Sequence, residues 1–171
     1  MRSQWGLFLA LILTIFLADQ ASKALVIRDL GLYQSITPIP ALSDYFRITH
    51  SYNTGAAFGI FPQSSDAFLW LSVVIVIGLL VYSYQLSAHA ILTRCGIALI
   101  VGGALGNIAD RIAHGHVTDF IHYTIGGISN ISNIADHAVV IGVIVVIVDS
   151  FRLDRLEKRQ NAKTEEISTD S

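Results

Sequence analysis

Charge is scarce in this 171-residue chain: Asp, Glu, Lys and Arg make up 14% of it, against roughly a quarter in an average soluble domain. Cysteine is almost absent. The single Cys95 cannot form an internal disulfide, and it lies in an apolar run without a nearby His or Asp to act as base, so it reads as a small buried hydrophobe. There is no excess of basic residues. The net charge of −2 gives no overall field for nucleic acid. Internal repeats, low-complexity tracts and an H-E-x-x-H zinc motif are also missing.

What fills the chain is apolar. Hydrophobic residues account for 53% of it, with a mean hydropathy of +0.58. A chain this small cannot hide that much apolar surface from water, so lipid is the simpler solvent. A bilayer core of about 30 Å needs about 20 helical residues. Four segments suit it: residues 5–27, 67–86, 90–109 and 134–151. The expectation is an all-α membrane protein of four transmembrane helices, forming one domain over residues 1–158. The first segment has a basic start at Arg2 but no small-residue cleavage site after it, so it reads as an uncleaved span.

Basic residues set orientation. Arg2, Arg94, Arg152, Arg155, Lys158, Arg159 and Lys163 fall on one side, against Lys23, Arg28, Arg47 and Arg111 on the other, a count of 7 to 4. Both termini are therefore expected in the cytoplasm. Residues 28–66 then lie outside; Tyr45–His50, preceded by Pro38 and Pro40 and followed by Asn53-Thr54-Gly55, predicts a small β-rich patch on the outer membrane face. Residues 111–133 read as a flexible outer loop, with Gly115, Gly126 and Gly127, and residues 159–171 as a disordered cytoplasmic tail.

Ionisable groups in a membrane are costly and mark function by default. Asp19 and Lys23, four apart, read as a structural ion pair, with substrate contact as the alternative. Gly102 and Gly106 make a small-xxx-small pattern that admits a neighbouring helix. Packing explains these glycines; it does not explain Asn107, Asp110 and Arg111 at a span's end. Asp119 sits in the apolar setting Val117–Ile121. Asn133 and Asp136 open the fourth span, where N-capping is the plain alternative to a functional role. Asp149 beside Arg152 reads as an interfacial pair at the opposite end. Two carboxylates at one boundary can share a proton, one as base and one as acid. Spacing alone does not bring Asp119 and Asp136 together. A metal site from His114, His116, His122 and His137 is one rival, with His50 and His89 also in the chain. A channel or transporter is another, although the acidic groups cluster near one face instead of along a path.

The chain resembles the lipoprotein signal peptidases, the type II signal peptidases of bacteria. The resemblance rests on five ordered motifs: Asp19-Gln20-x-x-Lys23, Asn53-x-Gly55-Ala56-Ala57-Phe58, Gly102-Gly103-Ala104-x-Gly106-Asn107-x-x-Asp110-Arg111, Val117-x-Asp119-Phe120, and Asn133-Ile134-Ala135-Asp136. It implies an aspartic endopeptidase of the bacterial cytoplasmic membrane. Its substrate would be a diacylglyceryl-modified prolipoprotein, cut just before the lipid-modified cysteine. Asp119 and Asp136 match the catalytic pair. Asn53, Gly55, Asn107, Asp110, Arg111 and Asn133 match positions that line or support the site, and Asp19 and Lys23 match positions behind it. The resemblance also implies no metal or other cofactor, inhibition by the cyclic peptide globomycin, and partners limited to substrate and membrane lipid. A monomer is the expected state. One departure is Ser132, where many members have Phe.

Overall fold

The computed structural model describes residues 2–55, 65–87 and 90–169. Its elements are α1 (Arg2–Asp29), β1 (Ser35–Ile36), a 3-10 turn (Pro40–Leu42), β2 (Phe46–Asn53), α2 (Ser65–Gln85), α3 (Ile91–His114), β3 (Val117–Ile125), β4 (Ile128–Ser132) and α4 (Ile134–Thr169). Four helices among the described residues are long and apolar enough to cross a membrane. The four strands form one antiparallel sheet in the order β1-β2-β3-β4. The sheet sits at the end of the bundle where α1 and α3 stop and α4 begins.

α3 is the spine, and its small residues explain why. In lipid, helices gain little from hiding apolar surface, so association depends on close contact. A Cβ on Gly102 would come within 2.9 Å of the Ile12 carbonyl oxygen of α1. On the other side, a Cβ on Gly103 would strike the Ala135 carbonyl, and one on Gly96 would lie 2.8 Å from the Gly142 carbonyl, both in α4. Phe8, Val76, Ile97, Ala98, Val101 and Ile108 fill the core around this spine. Val26 and Leu30 at the end of α1 pack with Phe120 of β3, joining sheet to bundle.

α3 runs five residues past the boundary expected at 109. Asn107, Asp110 and Arg111 are interior to the helix; the stop is Gly115, at φ 76°, whose N–H bonds to the Arg111 carbonyl. The expectation of a flexible loop over 111–133 is corrected: most of it is the β3–β4 hairpin. Val117–Ile125 is rich in β-branched and aromatic residues, and Gly126-Gly127, both at positive φ, supply the two-residue turn. The tail set apart from residue 159 as disordered instead continues α4 to Thr169. Its Lys, Arg, Glu and Gln favour helix, and Lys158 lies 2.8 Å from Asp154 one turn back. Cys95 is half-buried, since its helix face reaches the bundle surface.

Asp149 is also more than an interfacial pair. It is 1% exposed, and it accepts the Thr93 N–H at 2.9 Å and the Thr93 hydroxyl at 2.7 Å while pairing with Arg152 at 2.8 Å. It thereby satisfies the start of α3 from α4.

Candidate active site

The sheet and the two helix ends bring the singled-out polar residues together. Asp119 comes from β3, opposite Ser51 of β2. β3 is covered on both faces along Val117–Phe120, so Asp119 is 3% exposed. One carboxylate oxygen accepts from Asn133 Nδ2 at 2.7 Å, the other from Asn53 Nδ2 at 2.8 Å. Asn53 is itself oriented: its Oδ1 accepts the Gly55 N–H at 2.8 Å, which turns the amide nitrogen toward Asp119. Gly55 has a φ of 83°, and a Cβ there would strike the Phe68 ring, so glycine suits this turn. Ala56, Ala57 and Phe58 of the same motif lie outside the described residues.

Asp136 comes from the first turn of α4 and is partly exposed. Asn133 is the N-cap: its Oδ1 accepts the Asp136 N–H at 2.9 Å, and the Asp136 carboxylate reaches back to the Asn133 N–H at 3.4 Å. This is a reciprocal capping box. The other Asp136 oxygen accepts from Asn107 Nδ2 at 2.9 Å. The two hydrogens on Asn133 Nδ2 go to Asp119 and, at 3.1 Å, to Asn107 Oδ1, its two nearest acceptors. Capping and site-building are thus one arrangement, not alternatives. Asn133 and Asn107 link the two carboxylates.

Behind them lies a buried charge cluster. Lys23 Nζ has three donors and three acceptors: Asp19 at 2.7 Å, Asp110 at 2.9 Å and Asn107 Oδ1 at 3.0 Å. The far oxygens of both acids are used as well. Asp19 accepts the Ala135 N–H at 3.0 Å, one of the N-terminal amides of α4. On Asp110 the far oxygen accepts from Gln20, while the oxygen facing Lys23 also accepts the Thr118 N–H at 3.0 Å, tying α3 to β3. Gly106 leaves room for this cluster, because a Cβ there would meet the Asp19 carboxylate. So the Asp19–Lys23 pair expected from spacing is present, but as part of a three-helix junction.

Arg111 sits half-buried at the end of α3, with Nη1 3.4 Å from the Asn107 carbonyl; its Nε is buried without a hydrogen-bond partner among the described residues. Gln20, named in the first motif without a role, is a further contributor: its amide reaches Asp110 Oδ1 at 2.9 Å and the Gly106 carbonyl at 3.2 Å. Its place between Asp19 and Lys23 was the available signal.

The two carboxylates differ in burial, Asp119 being buried and Asp136 partly exposed. Burial pushes the Asp119 carboxyl up to about 6, with the nearby Asp136 charge adding to the rise and the Asn53 and Asn133 amides opposing it. The histidines raised as a metal site do not join it: among the described residues, no three His, Cys, Asp or Glu side chains converge. His122 bonds Thr49 at 2.8 Å, and His116 stacks on Tyr52 at 3.8 Å.

A four-span bundle with buried polar groups gathered at one end is the build of a multi-pass membrane enzyme. Two solved structures described as bacterial membrane enzymes share the fold. One has a TM-score of 0.77 at 30% identity, covering 86% of this chain and 88% of the other; the second has the same score at 31%, covering 84% and 92%. The family described as Signal peptidase (SPase) II matches residues 11–152. The lipoprotein signal peptidase of Photorhabdus laumondii is 40% identical over 149 residues, covering 84% of this chain and 87% of that protein. That of Shewanella oneidensis is 35% identical over 161 residues, covering 91% of each, and that of Pseudomonas aeruginosa 38% over 144, covering 81% and 83%. The chain belongs to the signal peptidase II family.

Proposed function

We propose that the chain is an aspartic endopeptidase that removes the signal peptide from bacterial prolipoproteins, just before a diacylglyceryl-modified cysteine, with Asp119 and Asp136 as the catalytic pair. The observation that carries this reading is the shared contact: Asn133 donates to Asp119 at 2.7 Å and caps the helix turn that holds Asp136. Asn53, Gly55, Asn107, Asp110, Arg111, Asn133, Asp19 and Lys23 position the pair, as the family resemblance implies.

The difference in burial supports a division of roles within this reading. Asp119, buried and raised to about 6, holds the shared proton. Asp136, more open to solvent, is the base. Water attacks the scissile carbonyl carbon as Asp136 takes its proton and Asp119 protonates the carbonyl oxygen. Collapse of the diol breaks the C–N bond. The Asp136 proton goes to the leaving nitrogen, and Asp119 recovers its own from the hydroxyl. No acyl-enzyme forms.

The 7-to-4 asymmetry of basic residues supports cytoplasmic termini and a site at the outer face of the bacterial cytoplasmic membrane. A lipid-modified cysteine next to a membrane-inserted signal peptide lies at that height. The same reading takes the enzyme as a monomer that globomycin inhibits.

Asp119→Asn and Asp136→Asn, made separately in the full chain, test the reading. Each is expected to insert normally and to lose at least about 10³-fold in prolipoprotein cleavage, within the range for a lost acid or base. Substantial cleavage by either variant would overturn the pairing.

A further inference from the structure

Far from the proposed site, α4 leaves its apolar run and becomes cationic. Val148, Phe151, Arg152, Arg155, Leu156 and Arg159 line a groove of about 470 Å³ there. At 100° per residue, Val148, Arg152, Arg155, Leu156 and Arg159 share one face. Lys158 points elsewhere and is paired with Asp154 at 2.8 Å.

The face is amphiphilic along its length. Val148 and Phe151 belong to the membrane half; Arg155 and Arg159 lie one to two turns beyond. Arg152 stands between them. Its Nε is 2.8 Å from the buried Asp149, and that contact does not engage its two terminal nitrogens. Arg155 and Arg159 have no acidic partner among the described residues. An arginine fork matches phosphate oxygens in pairs. A ligand that fits must carry a phosphate on a hydrophobic body, with the phosphate at the membrane boundary.

We propose that this face of α4 is a binding site for an anionic phospholipid, its headgroup phosphate held by Arg155, Arg159 and the terminal nitrogens of Arg152, and its acyl chains laid on Val148 and Phe151. The site is independent of the catalytic reading, since it lies at the other end of the bundle. It also differs from a diffuse basic surface, because the arginines converge on one face while Lys158 does not.

The test uses the full chain in nanodiscs of phosphatidylcholine with or without phosphatidylglycerol, with retained lipid counted by native mass spectrometry. The protein should retain phosphatidylglycerol over phosphatidylcholine. R155Q/R159Q should weaken that retention by about 30-fold, as each arginine near an anionic headgroup contributes roughly a factor of five. Lys158→Gln should leave it unchanged, and R155Q/R159Q should cleave prolipoprotein normally in phosphatidylcholine alone. Equal retention of the two lipids, or an equal loss in Lys158→Gln, would overturn the site. So would displacement of the lipid by millimolar inorganic phosphate, which would point to a free-phosphate site.

Discussion

Asn133 Nδ2 lies 2.7 Å from Asp119 Oδ1, and the same residue is the N-cap of the helix that carries Asp136. One side chain therefore fixes a strand-borne carboxylate relative to a helix-borne one. Without it, the two acids would be joined only through longer paths in the sheet and bundle.

That double duty can be separated. Serine caps helices about as well as asparagine but is too short to reach Asp119. Asn133→Ser should change the thermal midpoint little and lower kcat by about 10²-fold or more, the lower part of the acid–base range. Asn133→Ala should lose both, with about 1 kcal/mol of stability going with the cap. Thermal unfolding in detergent and a cleavage assay on the same samples check it.

Asn53 sets a pH limb. Its amide favours the ionised form of Asp119 and so holds the carboxyl below where burial alone would put it. In the proposed mechanism Asp119 holds the shared proton, so activity should fall as pH rises through its carboxyl's pKa, raised to about 6. Removing the donor raises that pKa. In Asn53→Ala, the alkaline limb of kcat/KM should move to higher pH, with a lower maximum. A limb that stays or moves down would assign the proton elsewhere.

Among the described residues, Lys23 is the one cation within bonding distance of Asp19 and Asp110. Lys23→Met leaves two buried carboxylates without it. Removing one partner of a buried pair costs about 3–5 kcal/mol, so the variant should unfold far more readily. Adding Asp19→Asn should recover part of the loss. Additive effects in this double-mutant cycle would show that the pair is not coupled.

Asp149 offers the contrast. It holds Thr93 at the other end of the bundle. Asp149→Ala should cost about 1–3 kcal/mol through the stranded Thr93 donors, yet leave cleavage per folded molecule unchanged. A proportional loss of kcat would tie this end to the chemistry.

Much of this was readable in the chain. Four long apolar runs announce the spans, because a bilayer admits few other structures. Asp119 and Asp136 stand out because apolar neighbours make carboxylates conspicuous. The hairpin is not in the sequence reading because Gly115, Gly126 and Gly127 weigh there as loop, although a Gly-Gly pair between β-formers is a turn signal. The Lys23 junction was half legible. Helical spacing gives the Asp19 contact, but nothing local reveals that Asp110, 87 positions later, completes it. Nor does spacing show Asp149 reaching Thr93, since that contact depends on how α3 and α4 are set against each other.

The glycines of α3 divide the bundle unequally. α1 and α4 press on the spine so closely that an added methyl at Gly102 or Gly103 meets backbone. α2 presents Trp70, Val74, Ile77, Val81 and Tyr84 outward instead. Its inner face still packs on the core through Val76, but its outer stripe is held by no neighbour within the bundle. A fluorophore, a crosslinker or a fused partner helix belongs on its outer stripe, where it can report on the enzyme without altering it.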